Sequence, residues 1–303
     1  MITGGPTVVA IGNFDGVHSG HRRVLAEARA ARPGLPVVAV TFWPHPMVIL
    51  RPDAAPELLC DLSERIELLR AAGADEVRVV EFTRRVAGWT PQEFVERVLL
   101  PLHPSAVVVG ENFRFGHKAA GTVDTLRELG AGVFEVKELP LVSDASAYSS
   151  SRIRRALDDG DVEAATAILG RHFRYTGIVV MGDQRGRTLG YPTANLTVPE
   201  THACPADGVY AGWLTCLDRP GAEPMPAAIS VGTNPTFDGV ERRVETYVLD
   251  RTDLELYGCR IGVDFLMRLR GQVKFSGLDD LIVQMDADVV AARQLLSPGS
   301  PQI

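Results

Sequence analysis

The chain has 303 residues, enough for two domains of roughly 150 residues each, either long enough to bury its own core. Its 46% hydrophobic, 23% charged and 7% aromatic residues are those of an ordinary globular protein, which excludes a disordered, collagen-like or coiled-coil chain. Against 31 basic residues stand 38 acidic ones, and the net charge of −7 leaves no overall basic field for nucleic acid.

The cysteines Cys60, Cys204, Cys216 and Cys259 form no Cys-x-x-Cys pair, so the sequence suggests reduced thiols rather than a disulfide framework or a zinc knuckle. The first basic residue is Arg22, and no apolar run approaches the roughly 18 residues of a membrane span. A cytoplasmic protein is expected.

From residue 7 to about 170, short apolar runs alternate with amphipathic helical stretches. The runs Thr7–Ile11, Pro36–Phe42, Glu76–Phe82, Ser105–Gly110 and Gly132–Val136 suit strands buried on both faces of a parallel sheet. Thr90-Pro91-Gln92-Glu93 combines an N-cap, a proline at the first helical position and a capping-box glutamate, and predicts a helix through Leu100. Asp61-Leu62-Ser63-Glu64 predicts another helix start in the same way. Such a fold binds ligands at the carboxyl ends of its strands.

Directly after the first strand lies Gly12-Asn13-Phe14-Asp15-Gly16-Val17-His18-Ser19-Gly20-His21, followed by the helical run Arg22–Ala31. Glycines let backbone approach a phosphate, the helix N-terminus supplies N–H donors, and imidazoles one turn apart can bond phosphate oxygens as charge develops. Metal ligation by His18 and His21, or a plain turn carrying exposed histidines, are the competing readings. Gly110-Glu111-Asn112-Phe113-Arg114-Phe115-Gly116 also follows a strand. Tyr148-Ser149-Ser150-Ser151-Arg152-Ile153-Arg154 opens a helix, where the hydroxyls and Arg154 can hold leaving phosphates or the serines can act simply as caps. Thr41-Phe42-Trp43-Pro44-His45-Pro46 ends the second strand.

After the helical stretch Asp161–Leu169 the chain becomes strand-rich, with Arg174–Val180, Gly208–Leu214, Ala227–Val231, Val244–Leu249 and Arg260–Leu266 separated by Gly, Pro, Asn and Asp clusters. That spacing predicts a small antiparallel barrel, closed by a last helix over about Leu278–Leu296. Its most distinctive string is Gly182-Asp183-Gln184-Arg185-Gly186-Arg187-Thr188-Leu189-Gly190-Tyr191-Pro192-Thr193-Ala194-Asn195. If Thr193 and Asn195 lie on one extended stretch, their oxygens share a face that can hold Mg²⁺ with ATP phosphates; a glycine-rich hairpin is the other reading. Glu245, inside a strand, is either the polar residue of an alternating pattern or a general base.

In order and spacing these strings resemble the bacterial bifunctional riboflavin kinase/FMN adenylyltransferase (FAD synthetase) family. The likeness covers the whole first half and nearly all of residues 172–290, with Asp207-Gly208-Val209-Tyr210 and Leu269-Arg270 adding to it. It implies a Rossmann-like nucleotidyltransferase domain with a parallel sheet over residues 1–170, and a small antiparallel β-barrel kinase domain with a terminal helix over 171–303. By that likeness His18 and His21 stabilise the transferring α-phosphate and Arg154 clamps the leaving pyrophosphate. Gly12, Phe14, Asp15, Gly16, Ser149, Ser150 and Ser151 would contact nucleotide, and Asn112, Phe113 and Arg270 flavin. In the second half, Gly182, Gly186, Arg187 and Gly190 would cover ATP phosphates, Thr193 and Asn195 bind Mg-ATP, and Glu245 act as base toward the ribityl 5′-hydroxyl.

The implied partners are riboflavin, FMN and ATP, with neither nucleic acid nor membrane; a homo-oligomer is compatible with the sequence. Three positions depart from the family habit: Asn112 where Asp is usual, Met181 where a polar residue is usual, and Gln272 where Glu is usual. The alternatives are a chain that retains one of the two activities, and another class of adenylyltransferase fused to an unrelated barrel.

Overall fold

The computed structural model describes residues 4–140, 149–182, 190–236 and 239–297, with backbone alone at 234–236 and 239–240. The chain divides into two compact units, Met1–Ser150 and Ser151–Ile303.

In the first unit, β1 (Thr7–Ile11), β2 (Val37–Trp43), β3 (Glu76–Glu81), β4 (Pro104–Gly110) and β5 (Glu135–Leu139) form a five-stranded sheet in the order β3-β2-β1-β4-β5. Every neighbouring pair runs parallel. The helices are α1 (Ser19–Ala31), α2 (Pro46–Leu50), α3 (Leu62–Ala71), α4 (Arg84–Ala87), α5 (Pro91–Phe94, continuing as a π-helical turn) and α6 (Val123–Gly130).

β1 is buried along its whole length because helices cover both sheet faces. Val8 and Ala10 pack with Leu25 and Ala28 of α1 and Leu69 of α3. Their alternates Val9 and Ile11 pack with Phe94 of α5 and Leu126 of α6. The chain runs outward from β1 through β2 to β3, then returns to place β4 on β1's other side. The switch point is therefore the gap between the carboxyl ends of β1 and β4, where an open sheet of this kind leaves a crevice.

The second unit holds β6 (Phe173–Ile178), β7 (Ala194–Val198), β8 (Gly208–Cys216), β9 (Met225–Thr236), β10 (Gly239–Val248) and β11 (Arg260–Gly271). They form an antiparallel sheet in the order β6-β11-β8-β9-β10-β7. Its two end strands nearly close a barrel: the Tyr175 hydroxyl of β6 donates to the Thr197 carbonyl of β7 at 2.9 Å. Just past β6, the Val180 N–H donates to the Asn195 carbonyl at 2.9 Å.

Helices α7 (Ser150–Asp158) and α8 (Val162–Leu169) fall almost wholly within this unit, although the sequence assigns them to the first domain. Ile153, Leu157 and Leu169 are fully buried. The Ala206 N–H donates to the Leu157 carbonyl at 2.8 Å, and Arg268 joins the carbonyls of Asp159 and Asp207. The C-terminal helix, Leu278–Leu296, buries Ala292 against Ala211 and Ala228.

Candidate active sites

The glycine string forms the turn between β1 and α1, at the switch point. Gly16 has φ +75°, and a Cβ there would lie 2.9 Å from Leu59, so both backbone and space call for glycine. Phe14 and Val17 adopt φ of 52° and 38°, left-handed values that non-glycine residues hold only when their surroundings enforce them. The turn delivers His18 to the N-cap of α1, where its Nδ1 accepts the His21 N–H at 3.3 Å. An accepting Nδ1 puts the proton of a neutral His18 on Nε2, leaving that N–H as a donor.

The His18 and His21 rings stack with centroids 3.6 Å apart and planes 19° apart, and Phe14 meets His21 edge-on at 5.2 Å. Burial first, and with it the Arg65 guanidinium, hold His21 well below the ordinary imidazole value of 6.5. Its Nδ1 is buried with no hydrogen-bond partner among the described residues.

Asp15, expected at the nucleotide, points beneath the turn instead. Its carboxylate is 2% exposed and pairs with the fully buried Arg65 at 3.0 Å. It also accepts the Leu59 N–H at 3.2 Å. Beside it, burial and the Asp15 charge push the Cys60 thiol up to about 12, so this cysteine is a packing group, not a nucleophile. Arg65 escaped the sequence reading, although a signal existed: between Leu62 and Leu69 it places a charge on the apolar stripe of α3.

Asn112 and Phe113 follow β4 on the other side of the switch point. Asn112 is exposed, and Phe113 is half-buried in a stack with Phe115 at 5.4 Å. Ser150 donates its hydroxyl to the Asp15 carbonyl at 3.0 Å. Ser149 is half-buried and Ser151 exposed; Arg154 is half-buried on α7. His45 is buried as the N-cap of α2, its Nδ1 accepting the Met47 N–H at 3.2 Å.

In the barrel, register decides which side chains meet. Glu245 of β10 sits directly opposite Asn195 of β7 on one side and Ser230 of β9 on the other. The three therefore form one row on one sheet face, while Val244, Leu196 and Val231 are buried on the opposite face. Thr193 lies just before β7, and Asn195 Nδ2 donates to its carbonyl at 3.1 Å and its hydroxyl at 3.2 Å. That leaves Asn195 Oδ1 as an acceptor. A Cβ on Gly182 would fall 2.6 Å from this amide, so only glycine lets the chain pass so close.

Beside the row opens a cavity lined by Thr193, Asn195, Thr246, Arg251 and Tyr257. Gln272 donates its amide to the Ser230 hydroxyl at 3.2 Å and the Val231 carbonyl at 2.9 Å. A glutamate could not donate to that carbonyl, so this departure is matched to its surroundings.

Arg270, expected at flavin, forms a two-pronged pair with Asp288 of the C-terminal helix at 2.9 and 2.7 Å. That bond fastens the helix to β11 and commits the guanidinium. Met181 is largely exposed, and Gly190 has φ +87°. Gly186 and Arg187 lie outside the described residues.

A glycine turn at the switch point of a parallel sheet, and a carboxylate beside a hydroxyl–amide pair on an antiparallel barrel, are arrangements that suit a transferase built of two units. The FAD synthetase family model matches residues 3–153, and the riboflavin kinase model residues 169–296. The chain belongs to the bifunctional riboflavin kinase/FMN adenylyltransferase family. The relative from Escherichia coli is 35% identical, covering 97% of this chain and 94% of the relative. Those from Listeria monocytogenes and Bacillus subtilis are 37% and 34% identical, each over 93% of this chain and 90% of the relative. A solved structure described as a macrolide-efflux protein from Streptococcus pneumoniae superposes with a TM-score of 0.85 at 34% identity, covering 96% of this chain and 95% of that one. Among the described residues no helix is long and apolar enough to cross a membrane.

Proposed function

We propose that the chain makes FAD from riboflavin in two ATP-consuming steps. At the barrel, Glu245 takes the proton of the ribityl 5′-hydroxyl while its oxygen attacks the γ-phosphorus, giving FMN and ADP. At the glycine turn, an FMN phosphate oxygen attacks the α-phosphorus of a second ATP, giving FAD and pyrophosphate. There His18, donating from Nε2, and His21 meet the charge on the transferring phosphate, and Arg154 meets the departing pyrophosphate. Gly12, Phe14, Gly16 and the serines at 149–151 surround the nucleotide, and Asn112 and Phe113 contact the flavin.

The observation that carries the kinase reading is the row Ser230–Glu245–Asn195 with Thr193 bonded to its end. Among the described residues no three His, Cys, Asp or Glu side chains gather into a metal set. The oxygens of Thr193 and Asn195 are hard, neutral donors, which fits a Mg²⁺ that brings its own phosphate and water ligands. When bound, that ion neutralises phosphate charge. Gly182 and Gly190 flank the segment that would cover the phosphates, with Gly186 and Arg187 inside it. The partners are then riboflavin, FMN and ATP, and the compartment the cytosol.

Incubation with riboflavin, Mg²⁺ and ATP, followed by chromatographic separation of flavins, should show FMN first and FAD after it. Riboflavin left unchanged, with added FMN also left unchanged, would overturn both assignments.

The kinase unit should also work alone, and α7 and α8 decide where it can be cut. A fragment beginning at residue 171 loses Ile153, Leu157 and Leu169, each worth about 1.5–3 kcal/mol when fully buried. The sum rivals the ~5–15 kcal/mol stability of a typical domain. Residues 151–303 are therefore expected to fold and make FMN but no FAD, while 171–303 should be far less stable. Equal unfolding midpoints for the two fragments would show that the helices contribute nothing to the unit.

A further inference from the structure

The first unit buries a cation that the chemistry above leaves without a task. Arg65, on α3, is 0% exposed, yet it touches two separate motifs. Its Nη1 donates to the Asn13 carbonyl of the glycine turn at 3.0 Å and to the Phe42 carbonyl at the end of β2 at 3.3 Å. Its Nη2 reaches Asp15 at 3.0 Å, and the guanidinium lies 5.4 Å from the centre of the Trp43 ring. Thr41 of β2 donates its hydroxyl to the same Asn13 carbonyl at 2.8 Å.

A buried charge is tolerated only when paired; the two Nη groups of Arg65 are bonded while its Nε has no partner among the described residues, and a planar fork of donors can meet oxygens lying in different directions where an ammonium cannot. The turn so held is the one that keeps Phe14 and Val17 in left-handed backbone. Such a conformation persists only when its surroundings over-determine it. We propose that Arg65 is the positioning residue of the adenylyl-transfer site: by binding Asn13, Asp15 and Phe42 together, it fixes the turn in the shape that presents His18 and His21 to the α-phosphate. This inference rests on the adenylyl-transfer reading of the turn.

The test is full-length Arg65→Lys, assayed for FAD formation from FMN with ATP varied, well below the variant's own unfolding midpoint. Riboflavin phosphorylation in the same preparation is the internal control. Lysine keeps the charge beside Asp15 but loses the fork, and a misplacement of about 1 Å is worth on the order of 10²-fold in rate. The expected result is a kcat lower by about 10- to 100-fold, a KM for ATP within about threefold of the parent, and unchanged kinase activity. Arg65→Met should be slower still, so that lysine counts as a partial rescue.

A merely structural arginine would lower the unfolding midpoint and leave kcat per folded molecule parental, which would overturn the proposal. Should Arg65→Lys fail to fold, Thr41→Val removes the second bond to the Asn13 carbonyl with no change of charge. It is expected to lower kcat by about 3- to 10-fold, and a parental kcat there would overturn the proposal equally. A parent chain that makes no FAD from FMN overturns the adenylylation reading itself, whereas an active parent with a fully active Arg65→Lys overturns only the positioning role.

Discussion

Glu245→Gln is expected to remove nearly all riboflavin phosphorylation while leaving adenylylation of added FMN intact. Glutamine keeps the length and hydrogen-bonding reach of the side chain, and its position between Asn195 and Ser230 is set by backbone register, which the swap does not touch. What disappears is the ability to accept a proton. General-base catalysis is typically worth about 10²–10⁴-fold, whereas a substitution at a solvated strand position alters stability by about 0.5 kcal/mol or less and leaves rates alone. The two readings of Glu245 therefore differ by far more than assay error. The measurement is the steady-state rate of FMN formation at saturating riboflavin and ATP, with FAD formation from FMN followed in the same preparation. A kinase rate within about threefold of the parent would retire Glu245 as the base. Parallel loss of both activities would instead report damage to the fold.

The row around Glu245 also shows where sequence reasoning stops. Alternation identifies a polar residue inside a strand, but its neighbours across the sheet depend on register between segments about 15 and 50 residues away. The central strands were legible because burial on both faces leaves an unbroken apolar run: β1 matches its expected span, β2 is shifted by one residue at each end, and β4 starts one residue early. At one edge strand, β5, that signal fails, although the other edge strand, β3, ends one residue short of its expected Glu76–Phe82. β5 was expected over Gly132–Val136 and lies at Glu135–Leu139, because Val133 is 58% exposed and Phe134 reaches the core from the turn after α6. The helix α6 itself went unassigned. In the barrel, β9 runs on to Thr236 through residues that read as a turn, and β7 starts within the last two residues of the string Gly182–Asn195 and runs three residues beyond it. The last helix coincides with its expected span. Arg65 and the inward turn of Asp15 were invisible for another reason: a buried ion pair joins residues that are distant in sequence and carries no periodicity of its own.

The histidine pair yields the second large effect, and the structure changes how it must be measured. His18 caps α1, so His18→Ala removes a cap worth about 1 kcal/mol together with the Nε2 donor, and a rate loss alone cannot separate the two. Asparagine is itself among the best N-caps. His18→Asn should therefore restore the stability of the first unit and leave FAD formation about 10²–10³-fold below the parent, the usual cost of one donor aimed at a developing oxyanion. Full recovery of FAD formation in His18→Asn would reduce His18 to a cap. His21→Ala carries no such ambiguity and should cause a loss of the same order, with FMN accumulating when riboflavin is supplied. It should also alter the response to acid. The folded His21 resists protonation, so below pH 6.5 the unfolded chain binds a proton that the folded one refuses, and stability falls as the pH falls. In His21→Ala that source of acid sensitivity is gone. The unfolding midpoint of the first unit should then drop less between about pH 7.5 and 5.5 than in the parent. An identical drop in parent and variant would mean that His21 is protonated as readily in the folded protein as in the unfolded one, and the stacked pair would no longer account for a neutral imidazole at the phosphate.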